Sequence, residues 1–168
     1  NDDFYVKYIV ARYAAYRNIW WSLANEYDYV ETKTIADWDR IGELIYNEDP
    51  YRRMCSIHNG PAFYDFSREW ITHCSCQGTD RYRSTENTDD IRKKYNKPVV
   101  WDEVLYEGNI DLGWGNISGE EMTRRFWEAT MRGGYAGHGE TYLFVADDTV
   151  DDSKLWWSHG GVLHGDSP

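Results

Sequence analysis

Apolar and polar positions along this chain switch repeatedly between helical spacing and the short unbroken runs of buried strands. Over residues 2–17, Tyr5, Tyr8, Ile9, Tyr13 and Tyr16 share one helical stripe, and residues 18–25 then predict a first strand. The capping pattern Thr34-x-x-Asp37 opens a helix to about Asn47 with Ile35, Trp38, Ile41 and Ile45 inward, and Asp49-Pro50 stops it. Met54 to His58 and Trp70 to Cys76 predict strands, separated by the turn signal Asn59-Gly60-Pro61. A polar stretch, Gly78 to Asp90, leads into a short helix ending near Tyr95, and Pro98 to Glu103 predicts the next strand. Ser118-Gly119-Glu120-Glu121 is a capping box whose helix buries Met122, Phe126 and Ala129 and ends at Gly133-Gly134. Tyr135 to Phe144 predicts a last strand, and the tail carrying Trp156-Trp157 has no clear period.

Strands alternating with helices predict a parallel sheet with helical crossovers, hence an α/β fold. No repeat, low-complexity tract or linker interrupts the 168 residues, so one domain is expected over residues 1–168. The pattern supplies roughly five strands where a closed barrel of this class has about eight.

Composition narrows the partners. Twenty-nine acidic against 18 basic residues give a formal charge of −11, which repels a phosphate backbone, so no nucleic acid is expected. Arg92-Lys93-Lys94 sits near a predicted helix end, where cations complement the macrodipole. No apolar run reaches the roughly 18–20 residues of a membrane span. Aromatic residues make up 17% of the chain, more than a core requires, and the surplus suits stacking on flat partners such as sugar rings. The chain opens Asn1-Asp2-Asp3 without a Met and reads as a piece of something longer or a processed product.

Two apolar runs end abruptly in carboxylates: Trp20-Trp21-Ser22-Leu23-Ala24-Asn25-Glu26 and Pro98-Val99-Val100-Trp101-Asp102-Glu103. Strand C-terminal ends are where α/β barrels carry reactive groups, and two glutamates delivered from separate strands are the equipment of a glycosidase. One donates a proton, and the other acts as nucleophile or base across the anomeric carbon. A retaining pair lies about 5–5.5 Å apart and an inverting pair about 6.5–9.5 Å.

Ser22-Leu23-Ala24-Asn25-Glu26-Tyr27-Asp28, Ser56-Ile57-His58-Asn59, Trp70-Ile71-Thr72-His73 and Gly113-Trp114-Gly115-Asn116-Ile117 together resemble an apiosidase-like branch of bacterial glycoside hydrolases, related to the cellulase-like family 5. Gly133-Gly134-Tyr135-Ala136-Gly137-His138-Gly139-Glu140-Thr141-Tyr142 and Trp156-Trp157-Ser158-His159-Gly160-Gly161 extend the resemblance over nearly the whole chain. It implies an incomplete (β/α)8 TIM barrel, strands 4 to 8 with their helices, the missing strands coming from the rest of a longer chain. Glu26 then matches the acid/base, Glu103 the nucleophile, and Asn25 an amide that contacts the sugar's 2-hydroxyl. The implied reaction is retaining hydrolysis of a plant or microbial polysaccharide or oligosaccharide outside the cytoplasm, extracellular or periplasmic, with no metal or organic cofactor. The alternative is a non-catalytic carbohydrate-binding or structural fragment of such a barrel.

His58, His73, Trp101, His138 and Trp157 are the remaining candidate substrate contacts. Gly137 and Gly139 flank His138 and leave room for a ligand. Glu140, Asp102 and Glu107 compete weakly with Glu103 for the nucleophile's role. Cys55-x-x-His58 and His73-Cys74-x-Cys76 raise a zinc site, but strand alternation turns His73 and Ser75 one way and Cys74 and Cys76 the other. The three cysteines, an odd count with no disulfide framework, therefore read as small apolar residues beneath helices.

Overall fold

The computed structural model describes residues 2–78, 80, 85–146 and 149–156. Among them are four α-helices, α1 (Asp2–Tyr13), α2 (Ile35–Glu48), α3 (Thr88–Tyr95) and α4 (Gly119–Met131). Eight strands accompany them: β1 (Trp21–Ser22), β2 (Cys55–Ser56), β3 (Cys74–Gln77), β4 (Val99–Glu103), β5 (Glu107–Gly108), β6 (Tyr135–Ala136), β7 (Glu140–Ala146) and β8 (Thr149–Trp156). The fold is mixed α/β with small sheets, in which β1–β2, β4–β6 and β5–β7 pair in parallel and β7–β8 antiparallel. The chain forms two compact units, Asn1–Ser75 with Ile91–Val99, and Cys76–Asp90 with Val100–Pro168.

In the first unit α1 packs along α2. The expected aromatic stripe of α1 is not the buried face: Tyr5, Tyr8, Tyr13 and Tyr16 are all exposed, and the helix stops at Tyr13. Val10 in the helix and Ala14 just after it are buried instead. The expected capping box of α2 is present, Thr34 accepting the Asp37 N–H while Asp37 accepts the Thr34 N–H. Trp38, Ile41 and Ile45 are buried as the period predicts, but Ile35 in the first turn remains exposed.

Asp39 fixes one side of this core. Its Oδ1 accepts from Tyr64 Oη at 2.9 Å, Arg68 Nε at 3.0 Å and Trp70 Nε1 at 3.3 Å. Burial, with that carboxylate alongside, pushes the Tyr64 phenol pKa up. Tyr64 packs edge-on against Tyr27 and Trp70, with centroids 4.9 and 5.8 Å away.

β1 pairs with β2 in parallel, Trp21 opposite Cys55 and Ser22 opposite Ser56. Both predicted strands are longer than the regular pairs, yet their hydrogen bonds continue. Trp21 N–H bonds Met54 O, Leu23 N–H bonds Ser56 O, His58 N–H bonds Ala24 O, and Tyr27 N–H bonds His58 O. This ladder carries the chain as far as the turn at Glu26.

In the second unit β6 lies beside β4 in parallel, Val100 opposite Tyr135 and Trp101 opposite Ala136. β7 pairs with β5 in parallel and with β8 antiparallel. The single last strand expected from Tyr135 is thus two strands in different sheets. The chain turns between them at Gly137, whose N–H bonds Trp101 O at 2.8 Å and whose Cβ, if present, would lie 2.9 Å from Asp102 O.

α4 also departs from its expected pattern. Ser118 accepts the Glu121 N–H, but the Glu121 carboxylate turns to Arg124 and Arg125 instead of completing the box. Those arginines, Arg124 foremost, pull its pKa down to about 2. Met122 and Ala129 are buried, whereas Phe126 is only half-buried. Arg125 occupies the interior instead, fully buried, with Nη1 on Val104 O at 2.8 Å and Nε on Glu121 at 2.8 Å. A buried guanidinium is tolerated because both a carbonyl and a carboxylate meet it.

Gly42, midway along α2, is overlaid by the Trp70 indole, and a Cβ there would lie 2.3 Å from Trp70 Cδ2. A buried tryptophan cannot swing away, so Gly42→Ala is expected to destabilise the protein by about 1–3 kcal/mol of overpacking. That outweighs the roughly 0.5–1 kcal/mol that alanine brings to a helix interior. Urea denaturation of the two proteins measures the sign and size.

Candidate active site

In the first unit the ladder of β1 and β2 ends at Glu26, whose backbone is left-handed, φ 47° and ψ 56°. This conformation is uncommon for a residue with a Cβ and costs on the order of 1–3 kcal/mol. Tyr27 N–H on His58 O and the turn Tyr27–Tyr29 that follows hold it in place. The Glu26 side chain is half-buried, and Asn25 Nδ2 donates to its Oε2 at 3.4 Å. Asp28, two residues on, accepts the N–H groups of Gly60 at 2.5 Å and Ala62 at 2.9 Å. The turn after His58 is thereby tied to the turn that carries Glu26.

His58 and His73 are both buried, 4% exposed. His58 Nδ1 lies 3.1 Å from Ser75 Oγ, and His73 Nδ1 lies 3.1 Å from Thr72 Oγ1. Ser56 Oγ donates to His73 O at 2.6 Å. The exposed indole of Trp20 packs over the His73 ring at 5.2 Å.

In the second unit Glu103 is the last residue of β4, half-buried. Tyr106 Oη donates to its Oε2 at 2.7 Å, a short charge-assisted bond that holds the carboxylate in one orientation. Leu105, buried between them in sequence, has φ 69°, so each candidate carboxylate lies at or within two residues of a left-handed, non-glycine backbone. Tyr106 was not marked out by the sequence; its offset of three residues becomes a contact only through the turn at Leu105.

Trp101 proves to be a core residue. It is 1% exposed, and its Nε1 donates to Thr88 Oγ1 at 2.8 Å, because its position on β4 points away from that of Asp102. It offers no surface for stacking on a sugar. Trp157 lies outside the described residues. His138 sits between β6 and β7, its Nε2 3.3 Å from Glu107 Oε2 and 3.8 Å from Glu140 Oε1. Glu107 and His138 line a cavity of about 530 Å³ walled by Met122, Phe126 and Trp127 of α4. That size is ordinary for a small-molecule site. Glu140 and Glu107 thus serve His138, a partnership that spacing alone does not reveal because it depends on the β5–β7 register.

Residues 1–142 match the apiosidase-like catalytic domain family. The chain belongs to that family. A crystal structure of a protein provisionally assigned as a glycoside hydrolase, from Bacteroides vulgatus, superposes with a TM-score of 0.84 at 39% identity, covering 98% of this chain and 31% of that one. A β-glucuronidase from Faecalibacterium prausnitzii shares the fold at a TM-score of 0.55 and 14% identity, covering 86% of this chain and 29% of that one. The chain therefore spans about a third of the length of each. Among curated proteins none matches.

Cys55, Cys74 and Cys76 are buried. Among the described residues no group of three or more His, Cys, Asp and Glu side chains is arranged to hold a metal ion. Burial pushes the thiol pKa values of Cys55 and Cys74 up to about 12. At pH 8 only about one such thiol in ten thousand is ionised, and the thiolate is the reactive form. The native protein is accordingly expected to resist labelling by Ellman's reagent at these positions and to react fully once unfolded in guanidinium. Rapid labelling of Cys55 or Cys74 in the native protein, located by peptide mass spectrometry, would contradict this assignment.

Proposed function

We propose that this chain carries the C-terminal part, strands 4 to 8 with their helices, of a (β/α)8 retaining glycoside hydrolase acting on plant or microbial polysaccharides or oligosaccharides. The membership of residues 1–142 in a catalytic-domain family is the observation that supports this reading most strongly. The coverage of 31% of the Bacteroides vulgatus protein supports the view that further strands come from a longer chain. Action outside the cytoplasm, extracellular or periplasmic, belongs to the same proposal and rests on the resemblance.

Glu26 is the acid/base and Glu103 the nucleophile. Protonated Glu26 gives its proton to the glycosidic oxygen as that oxygen leaves, while a carboxylate oxygen of Glu103 attacks the anomeric carbon and forms an acylal ester. Glu26, now a carboxylate, takes a proton from water, whose oxygen attacks the same carbon and releases Glu103. The Tyr106 phenol orients the attacking carboxylate. The strained turn at Glu26 is consistent with a position selected for chemistry over stability.

The test is turnover of aryl glycosides by residues 1–168 and by the longer chain that contains them. The longer chain should be active and residues 1–168 nearly inert, because the carboxylates need a rigid surround to position the sugar. In the active form Glu103→Gln should lower kcat by about four to six orders of magnitude, the scale seen when a covalent nucleophile is removed. Glu26→Ala should be rescued by azide, which needs no general base, on substrates with good leaving groups. Sugar binding with no turnover in either form would favour the non-catalytic reading. Robust turnover by a monomer of residues 1–168 would overturn the incomplete-barrel part of the proposal.

A further inference from the structure

The two ring nitrogens of His138 meet different surroundings. Gly137 is laid against β4 by its bond to Trp101 O, which fixes the backbone that carries the imidazole. On one edge of the ring, Nε2 faces Glu107 Oε2 at 3.3 Å and Glu140 Oε1 at 3.8 Å. Those two residues are opposite each other in the β5–β7 register. Their side chains are 3% and 12% exposed, while the imidazole is 42% exposed. Ionised carboxylates only accept, so a ring nitrogen that faces them is placed to donate, and in the neutral ring that donates from Nε2 the lone pair is on Nδ1. Among the described residues no hydrogen bond reaches Nδ1. The imidazole is among the residues that line the cavity of about 530 Å³.

We propose that His138 is a specificity-determining residue that accepts a hydroxyl of the sugar substrate at Nδ1, and that Glu107 is a positioning residue that fixes the Nε2–H tautomer. The sugar as ligand rests on the glycosidase reading above; the tautomer does not. A carboxylate behind the ring and a lone pair in front select a ligand that brings a donor, and the apolar wall of Met122, Phe126 and Trp127 suits the C–H face of a pyranose or furanose ring. Glu140 backs up Glu107 at longer range, so the tautomer depends chiefly on Glu107.

The experiment is two-bond ¹H–¹⁵N NMR of ¹⁵N-histidine-labelled chain, with the five histidines assigned through single His→Gln variants. Wild-type His138 should show a protonated Nε2 and an unprotonated Nδ1. Glu107→Leu should lose that bias toward a mixture of tautomers, while Glu107→Gln, which keeps an acceptor oxygen, should retain it. Titration with methyl glycosides of xylose, arabinose, glucose and galactose should shift the Nδ1 resonance saturably for at least one sugar, with affinity weakened about tenfold in Glu107→Leu, the scale of one hydrogen bond. An Nδ1–H tautomer in the wild type would overturn the positioning role whether or not the protein hydrolyses anything. The expected tautomer with no Nδ1 response to any of the sugars would overturn the specificity role. If Glu107→Leu fails to fold, the wild-type tautomer and the Glu107→Gln comparison still decide the question. Loss of turnover in the longer chain, with tautomer and Nδ1 response intact, would count against the glycosidase reading alone.

Discussion

Parallel pairing of very short strands is the constraint on which both units depend. A parallel pair needs a crossover between its members and brings the C-terminal ends of its strands to one side, where the chain leaves the sheet in a turn. In the first unit the β1–β2 ladder runs on in single hydrogen bonds until it fixes the turn at Glu26, with Tyr27 N–H held by His58 O. In the second unit β4 ends on Glu103, and the register of β5 with β7 brings Glu107 to His138. The candidate groups sit where regular pairing stops, so the geometry of each is set by a turn. This explains why the left-handed residues Glu26 and Leu105 are found there and why local carboxylate and phenol contacts, Asp28 on Gly60 and Tyr106 on Glu103, are needed to hold the turns.

Much of this was legible in the sequence wherever a signal is local. Thr34 with Asp37, Asp49 before Pro50, Ser118 as an N-cap and Gly133 after α4 each satisfy a helix end by contacts within a few residues, and each stands where the pattern put it. The apolar runs ending in Glu26 and Glu103 were equally visible, and the family membership of the chain agrees with the motifs that suggested it. Interior and exterior were harder to read. Tyr5 and Tyr8 occupy a helical stripe but face solvent, while Val10 and Ala14 are buried. Arg125 took the interior position because Val104 O and Glu121 wait for it, and no propensity encodes that. Trp101 was a plausible platform until its partner Thr88, thirteen residues away, made it part of the core. The division of Tyr135–Phe144 into β6 and β7 depended on how closely Gly137 approaches β4, a tertiary fact.

The polar groups also divide by function in a way composition could not show. Half-buried Asp39 and fully buried Arg125 are hubs whose partners are donors and acceptors within the fold, so their task is to satisfy polar atoms. Glu103 and His138 are only partly enclosed, with Tyr106 on the first and Glu107 on the second. Groups that are aimed but not enclosed are what a substrate requires, and in this family of catalytic domains they are where hydrolysis is to be sought.

Double displacement makes one outcome measurable without knowing the sugar in advance. For the longest active form of the protein, ¹H NMR of the anomeric protons in the first minutes of hydrolysis, before mutarotation, reads the configuration of the newly released sugar. Attack by Glu103 followed by water through Glu26 predicts a first-formed product with the same anomeric configuration as the substrate. A product of inverted configuration would contradict the central claim, since a single displacement by water leaves no covalent role for Glu103.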